Sequence, residues 1–170
     1  AKIVSIDTSK AKALPGVRAV LTGEDSDILV GLYMQDKRVL SKGETRYQGD
    51  VVAAVAAEDE ETAERAIALL DVVYEPLAPV HDVDEALEGK ILVHDDINNL
   101  KHYVGVFFPQ KDSNIASWNK SRKGDLDKAF EEADLVLEGE YSLPAVAHVP
   151  METHVTIVQA DPYSNRIKIW

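Results

Sequence analysis

Between Val51 and Tyr74 the chain offers an apolar run, an acidic capping signal, a helical stretch and a second apolar run in immediate succession. No other feature restricts the fold as much. Val51 to Ala57 (VVAAVAA) is a short continuous apolar segment of the kind shown by a strand buried on both faces. Behind the capping candidates Glu58 and Asp59 and an acidic first turn of Glu60 and Glu61, residues Ala63, Ala66, Ile67 and Leu70 fall on one face at helical spacing. Val72 to Tyr74 follows as a strand, closed by Pro76 and Pro79. The acidic stretch Glu58 to Glu64 is the solvated side of this helix rather than a cation or partner patch.

The flanking segments extend the pattern. Lys2 to Ile6 alternates polar and apolar residues, Thr8 or Ser9 is placed to cap a short turn ending at Leu14-Pro15-Gly16, and Val17 to Leu21 resumes a strand. Leu29 to Leu40 is ambiguous. Asp82, with Glu85 three residues on, predicts a short capped helix to Leu87. From Asn98 to Lys123 no period holds and polar residues mix with Tyr103, Phe107, Phe108 and Trp118, so the connection between two domains is placed here. Beyond it, Leu126, Ala129, Phe130 and Ala133 predict a brief helix behind Asp125, and Leu135 to Tyr141 alternates as a strand does. His154 to Asp161 and Arg166 to Trp170 read as two strands joined by the turn residues 162–165.

With 30 acidic against 18 basic residues the formal net charge is -12, which argues against nucleic acid or an anionic membrane surface as partner. No apolar run approaches the roughly 18 residues of a membrane span. The absence of cysteine excludes disulfides, thiolate zinc sites, iron–sulfur ligation and a cysteine nucleophile, and suits a reducing, cytoplasmic setting. The first residues, Ala1 to Ile6, already read as a strand without an initiator Met or a leader pattern, and the chain stops in mid-strand at Trp170, so a piece of a longer protein is expected. An edge left unpaired at that end is expected to pair with another copy, making a homo-oligomer.

Chemistry is sparse. His148, Glu152 and His154 offer imidazole and carboxylate donors, and even strand offsets would set all three on one face, but Pro150 interrupts the spacing and no metal site is expected. His94-Asp95-Asp96 places consecutive polar residues on opposite faces, which suits a solvated loop. No GxSxG elbow activates a serine, and no GxGxxG or GxxxxGK loop cradles a phosphate. No catalytic residue is assigned.

Three ordered blocks carry a family resemblance. They are AKIVSIDTSKAKALPGVRAVLTGED (Ala1 to Asp25), RYQGDVVAAVAAEDEETAERAIALLDVVYEPLAPVHDVDEAL (Arg46 to Leu87) and GDLDKAFEEADLVLEGEYSLPAVAHVPMETH (Gly124 to His154), the last continued by THVTIVQADPYSNRIKIW. Together they resemble the a/b-hammerhead domain and the opening of the molybdenum-cofactor domain in the xanthine dehydrogenase and aldehyde oxidase family. The resemblance implies an α+β fold, with a hammerhead domain over 1–98, a connection over 99–123 and an incomplete cofactor-domain segment over 124–170. It also implies a parent enzyme that binds molybdenum on a pyranopterin and hydroxylates a heteroaromatic or aldehyde carbon with water-derived oxygen. Electrons would pass to iron–sulfur and FAD domains or subunits.

The family's cofactor contacts, as the resemblance implies them, are a glutamine just after the strand at Arg166 to Trp170, a Gly-rich loop beyond it and a glutamate near the subunit's C-terminus. None has a counterpart here, so the chain by itself is expected to hold no cofactor and to be inactive. His148, Glu152 and His154, in HVPMETH, are then supports beside the cofactor rather than its ligands. Gly31 to Thr45 and Asn98 to Lys123 fit the family loosely, which leaves the substrate open. The rival reading is a free-standing, non-catalytic scaffold module with the same hammerhead fold. A swinging-arm carrier would need a lysine at a hairpin tip, which Tyr33 to Lys37 only faintly offers.

Overall fold

The computed structural model describes every residue except Asp96, Val104 and Asn165. It divides into two compact units, Ala1–Arg122 and Lys123–Trp170. The first begins with β1 (Lys2–Asp7), α1 (Ser9–Ala13) and β2 (Val17–Thr22), followed by the two-residue strands β3 (Leu29–Val30) and β4 (Lys37–Arg38). Then come β5 (Ala53–Ala57), α2 (Glu60–Ala68), β6 (Asp71–Glu75) and α3 (Val83–Glu88). Two β-α-β segments thus exchange partners. β1 pairs antiparallel with β6, with Ile6 opposite Val72, and β2 pairs antiparallel with β5, with Val20 opposite Val55.

Small residues let the two helices meet. Ala11 of α1 and Ala66 of α2 are fully buried and share a cluster with Val20 of β2, on which Leu14, Val17, Val55 and Leu70 also pack. Any larger side chain at Ala11 or Ala66 would push the helices apart. Gly23 plays the same part for the backbone: a Cβ there would sit 2.2 Å from the carbonyl oxygen of the buried Ser41. That contact brings the 41–45 segment to the sheet. There Ile3 N donates to Gly43 O and Thr45 N to Ala1 O, both at 2.8 Å, giving β1 a neighbour on its second edge.

Local signals account for the ends of the elements. Asp59 Oδ1 accepts from Thr62 N at 2.7 Å and caps α2. Asp82 Oδ1 accepts from Glu85 N at 2.8 Å, and the Glu85 carboxylate returns to accept from His81 N, so the expected cap on α3 is present; Gly89, at φ 67°, ends that helix. At α1 the structure corrects the sequence reading. Thr8 makes no side-chain cap, and Asp7 Oδ1 accepts from Ser9 N instead.

Two further expectations are corrected by packing. The run Val51–Ala57 was expected to be buried on both faces, yet β5 starts at Ala53 and alternates half-buried with exposed residues, because both helices cover the same side of the strands and the other side is open. Ile67 was expected on the buried face of α2, yet it is 56% exposed. The five-residue α1 covers only the stripe centred on Ala66.

The stretch after α3 folds into the first unit rather than away from it. Gln35 N donates to Lys101 O at 2.7 Å and Tyr103 N to Tyr33 O at 3.0 Å, while Tyr33 stacks on Phe107 with ring centroids 5.5 Å apart. The β3–β4 tip is therefore bonded in place, and Lys37 lies with its ammonium 5.1 Å from the Tyr47 ring centre. That is unlike the free lysine of a swinging arm.

The second unit holds α4 (Leu126–Glu131), capped by Asp125, and the antiparallel pair β7 (Val158–Ala160) and β8 (Ile167–Ile169). Here too the reading is corrected: Leu135 to Tyr141 forms no strand. Alternation offers an apolar face, but a strand forms only where a partner lies alongside to take its backbone hydrogen bonds, and within the described residues none does, leaving Leu137 and Tyr141 almost fully exposed. The expected strand from His154 is likewise shortened to Val158–Ala160, with Ile157 and Trp170 adding two further backbone bonds.

Candidate functional site

HVPMETH does not gather its polar residues. His148, Glu152 and His154 are all exposed and lie outside any strand. Val149 stands at φ 44° just before Pro150, a left-handed conformation that a β-branched residue rarely adopts, and this bend breaks the even spacing on which a common face would depend. Among the described residues no group of three or more His, Asp or Glu side chains comes together at metal-binding distance. The glycines of the second unit, Gly124 and Gly139, form no loop that could cradle a pyrophosphate. No chemical step is assigned to these residues.

The polar cluster that the structure does assemble lies in the first unit, on the loops around β4 and after α3. Arg46 is its centre: Nε donates to Val93 O at 3.0 Å, the guanidinium pairs with Glu44 at 2.8 Å, and its backbone N–H donates to Asp50. Beside it His94 Nε2 stands 3.6 Å from Asp36 Oδ2, its side chain mostly covered. His94 was expected in a solvated loop with Asp95 and Asp96. It is instead half-buried, while Asp95 is exposed and Asp96 lies outside the described residues. Burial lowers the His94 pKa, helped by the Arg46 guanidinium and opposed by Asp36, Glu44 and Asp95.

Next to this cluster opens a cleft of about 920 Å³ lined by Arg46, Tyr47, Gln48, Pro79, His81 and Val93, among others. Arg46 is already committed to Glu44 and Val93, so it is no free anion receptor. Its contacts tie the 44–50 segment to the stretch after α3. Sequence reasoning missed Asp36, Glu44 and Arg46 because they meet His94 only through tertiary folding. The one available signal was that Arg46 opens the second block of the family resemblance. No helix of the described residues is long and apolar enough to cross a membrane.

Comparison with known proteins supplies what the cluster does not. Residues 1–78 match the a/b hammerhead domain of aldehyde oxidase and xanthine dehydrogenase, and residues 107–170 match the molybdopterin cofactor-binding domain. The chain is 33% identical to the 6-hydroxypseudooxynicotine dehydrogenase complex subunit gamma of Paenarthrobacter nicotinovorans, over all of this chain and 21% of that protein. It is 38% identical to a probable xanthine dehydrogenase subunit of Bacillus subtilis (strain 168), over 90% of this chain and 19% of that protein. Among solved structures, a Cu,Mo-CO dehydrogenase superposes with a TM-score of 0.78 at 32% identity, over 99% of this chain and 22% of the other. Quinoline 2-oxidoreductase from Pseudomonas putida 86 gives 0.75 at 29%, over 99% and 21%. The chain thus spans about a fifth of the length of these relatives. Its α+β fold, with a hammerhead domain leading into cofactor-domain sequence, and the order of its two matched regions make it a member of the aldehyde oxidase and xanthine dehydrogenase family of molybdenum hydroxylases.

Proposed function

We propose that this chain is part of the molybdopterin-binding subunit of an oxidoreductase that hydroxylates a heteroaromatic or aldehyde carbon. The reaction is R–H + H₂O → R–OH + 2H⁺ + 2e⁻, with the oxygen drawn from water and the electrons passed to iron–sulfur and FAD domains or subunits of the same enzyme. The observation that carries this reading is the succession, in one chain, of the hammerhead match over 1–78 and the cofactor-binding match over 107–170. A relative described as one subunit of a dehydrogenase complex supports the partner assignment.

In this reading 1–98 is the hammerhead domain, 99–123 the connection, into whose latter part the cofactor-domain sequence match already reaches, and 124–170 the start of the cofactor domain as a folded unit. His148, Glu152 and His154 orient groups near the cofactor without ligating it, and the 170 residues alone neither hold molybdenum nor turn over. The working enzyme is a cytoplasmic homo-oligomer, and the net charge of -12 on these 170 residues disfavours nucleic acid and anionic membranes as partners of this part.

The test is turnover of the full-length enzyme, with its partner subunits and a dye acceptor, in ¹⁸O-labelled water against purines, N-heteroaromatics and aldehydes. Product carrying one ¹⁸O from water is expected from at least one class. Molybdenum-loaded enzyme that oxidises none of them, or that takes its oxygen from O₂, would overturn the proposal.

A further inference from the structure

Asn114 puts its side-chain amide to full use on one short stretch of backbone. Oδ1 accepts from Val93 N at 2.8 Å, and Nδ2 donates to Ala86 O at 3.0 Å and to Ile91 O at 2.8 Å. The segment that presents it is closed on itself: Gln110 N donates to Ile115 O at 2.9 Å, Trp118 N to Phe108 O at 3.1 Å, and Ser113 Oγ to Gln110 O at 2.9 Å. Asp112 turns the tip at φ 53°, a conformation Asp tolerates better than most residues. Asn98 adds a second tie in the amide orientation that satisfies both its groups, donating to Pro109 O and accepting from Lys111 N, each at 3.2 Å.

The stretch that Asn114 grips is also the wall of the cleft. Ile91 and Val93 line it, and Arg46 Nε holds the Val93 carbonyl while Asn114 holds the Val93 amide. Both hydrogen-bonding groups of this residue are therefore fixed by side chains from elsewhere in the unit. The sequence match to the cofactor-binding domain begins at residue 107, whereas the first compact unit runs to Arg122. The strap is thus cofactor-domain sequence folded into the unit that carries the hammerhead.

We propose that residues 108–118 form a strap latched by Asn114, and that this latch both fastens the start of the cofactor-domain sequence to the first unit and sets the cleft wall at Ile91–Val93. The strap and the wall open together as one local unit, below the free energy needed to part β1 from β6. The inference rests on the geometry of the first unit and on where the cofactor-domain match begins, and is independent of the proposed reaction.

Hydrogen exchange of the full 170-residue chain, wild type against Asn114→Ala, tests this. Three side-chain hydrogen bonds lost at a partly buried site predict about a 30-fold loss of protection at the Val93, Gln110 and Ile115 amides, with Ile6 and Val72 unchanged. Protection that is unaltered at Val93 and Ile115, or that falls equally at Ile6 and Val72, would overturn the latch. Should the variant not fold, the wild type in sub-denaturing urea decides the matter. Val93, Ile115 and Trp118 are expected to open together at lower urea than Ile6 and Val72, and exchange of all of them only through global unfolding would refute the proposal.

Discussion

Val20→Ala and Ile67→Ala separate the buried stripe from the exposed one. Val20 is 5% exposed and shares a buried cluster with Ala11 and Ala66, so its loss of two methyl groups removes about 1.6 kcal/mol of transfer free energy at roughly 0.8 kcal/mol per buried carbon. If about 30 Å³ of the vacated space stays empty, the cavity adds about 0.7 kcal/mol, for a total near 2.3 kcal/mol. Ile67 loses three carbons, which would cost about 2.4 kcal/mol if fully buried. At 56% exposure less than half of that, about 1 kcal/mol, is at stake. Alanine's better helix propensity returns about 0.4 kcal/mol, leaving roughly 0.6 kcal/mol. Urea unfolding followed by far-UV circular dichroism should therefore show a shift in midpoint about four times larger for Val20→Ala, at unchanged m-value. Equal shifts would refute the reasoning, since they would mean that Ile67 is packed in the core and that α1 covers more of α2 than the structure allows.

Gly23→Ala should cost about 2–4 kcal/mol, because the added carbon would overlap the Ser41 carbonyl unless the 41–45 segment moves off the sheet. Thermal melting of the variant checks it, and a melting temperature within a degree of wild type would contradict the close approach. His94 gives a pH signature. Its pKa is lowered in the fold, chiefly by burial and then by Arg46, so the unfolded chain binds the proton more readily and the contribution to stability, complete above about pH 6.5, is lost as pH falls below it. His94→Gln should flatten the decline in melting temperature between about pH 7 and 5, and an unchanged slope would show that other groups cause it.

The legible parts of the fold were those whose signal fits within about ten residues. The caps at Asp59 and Asp82, the helical face around Ala66 and the alternation of Lys2 to Ile6 each need only local spacing, and each produced the expected element. Ile67 and the run Val51–Ala57 misled because periodicity marks which residues could be buried. What covers them depends on the length of α1 and on both helices lying on one side of the strands. Leu135 to Tyr141 shows the same limit, since alternation cannot supply the neighbour a strand requires. The loop from Asn98 to Lys123 looked structureless because its order comes from side chains such as Asn114 reaching back more than twenty residues. The cluster of Asp36, Glu44, Arg46 and His94 was invisible for that reason too. Family membership was legible because it resides in ordered blocks rather than in any pairwise contact.

The most direct test of the account is the molybdenum content of the full-length protein, purified with its partner subunits from its own host, beside that of the 170-residue chain expressed alone. Elemental analysis should find molybdenum stoichiometric with the full-length subunit and none retained by the short chain. A full-length enzyme that folds and assembles without molybdenum would contradict the proposed function. Tight stoichiometric metal on the short chain, abolished by Glu152→Gln, would instead make HVPMETH a ligand site and overturn its reading as a support.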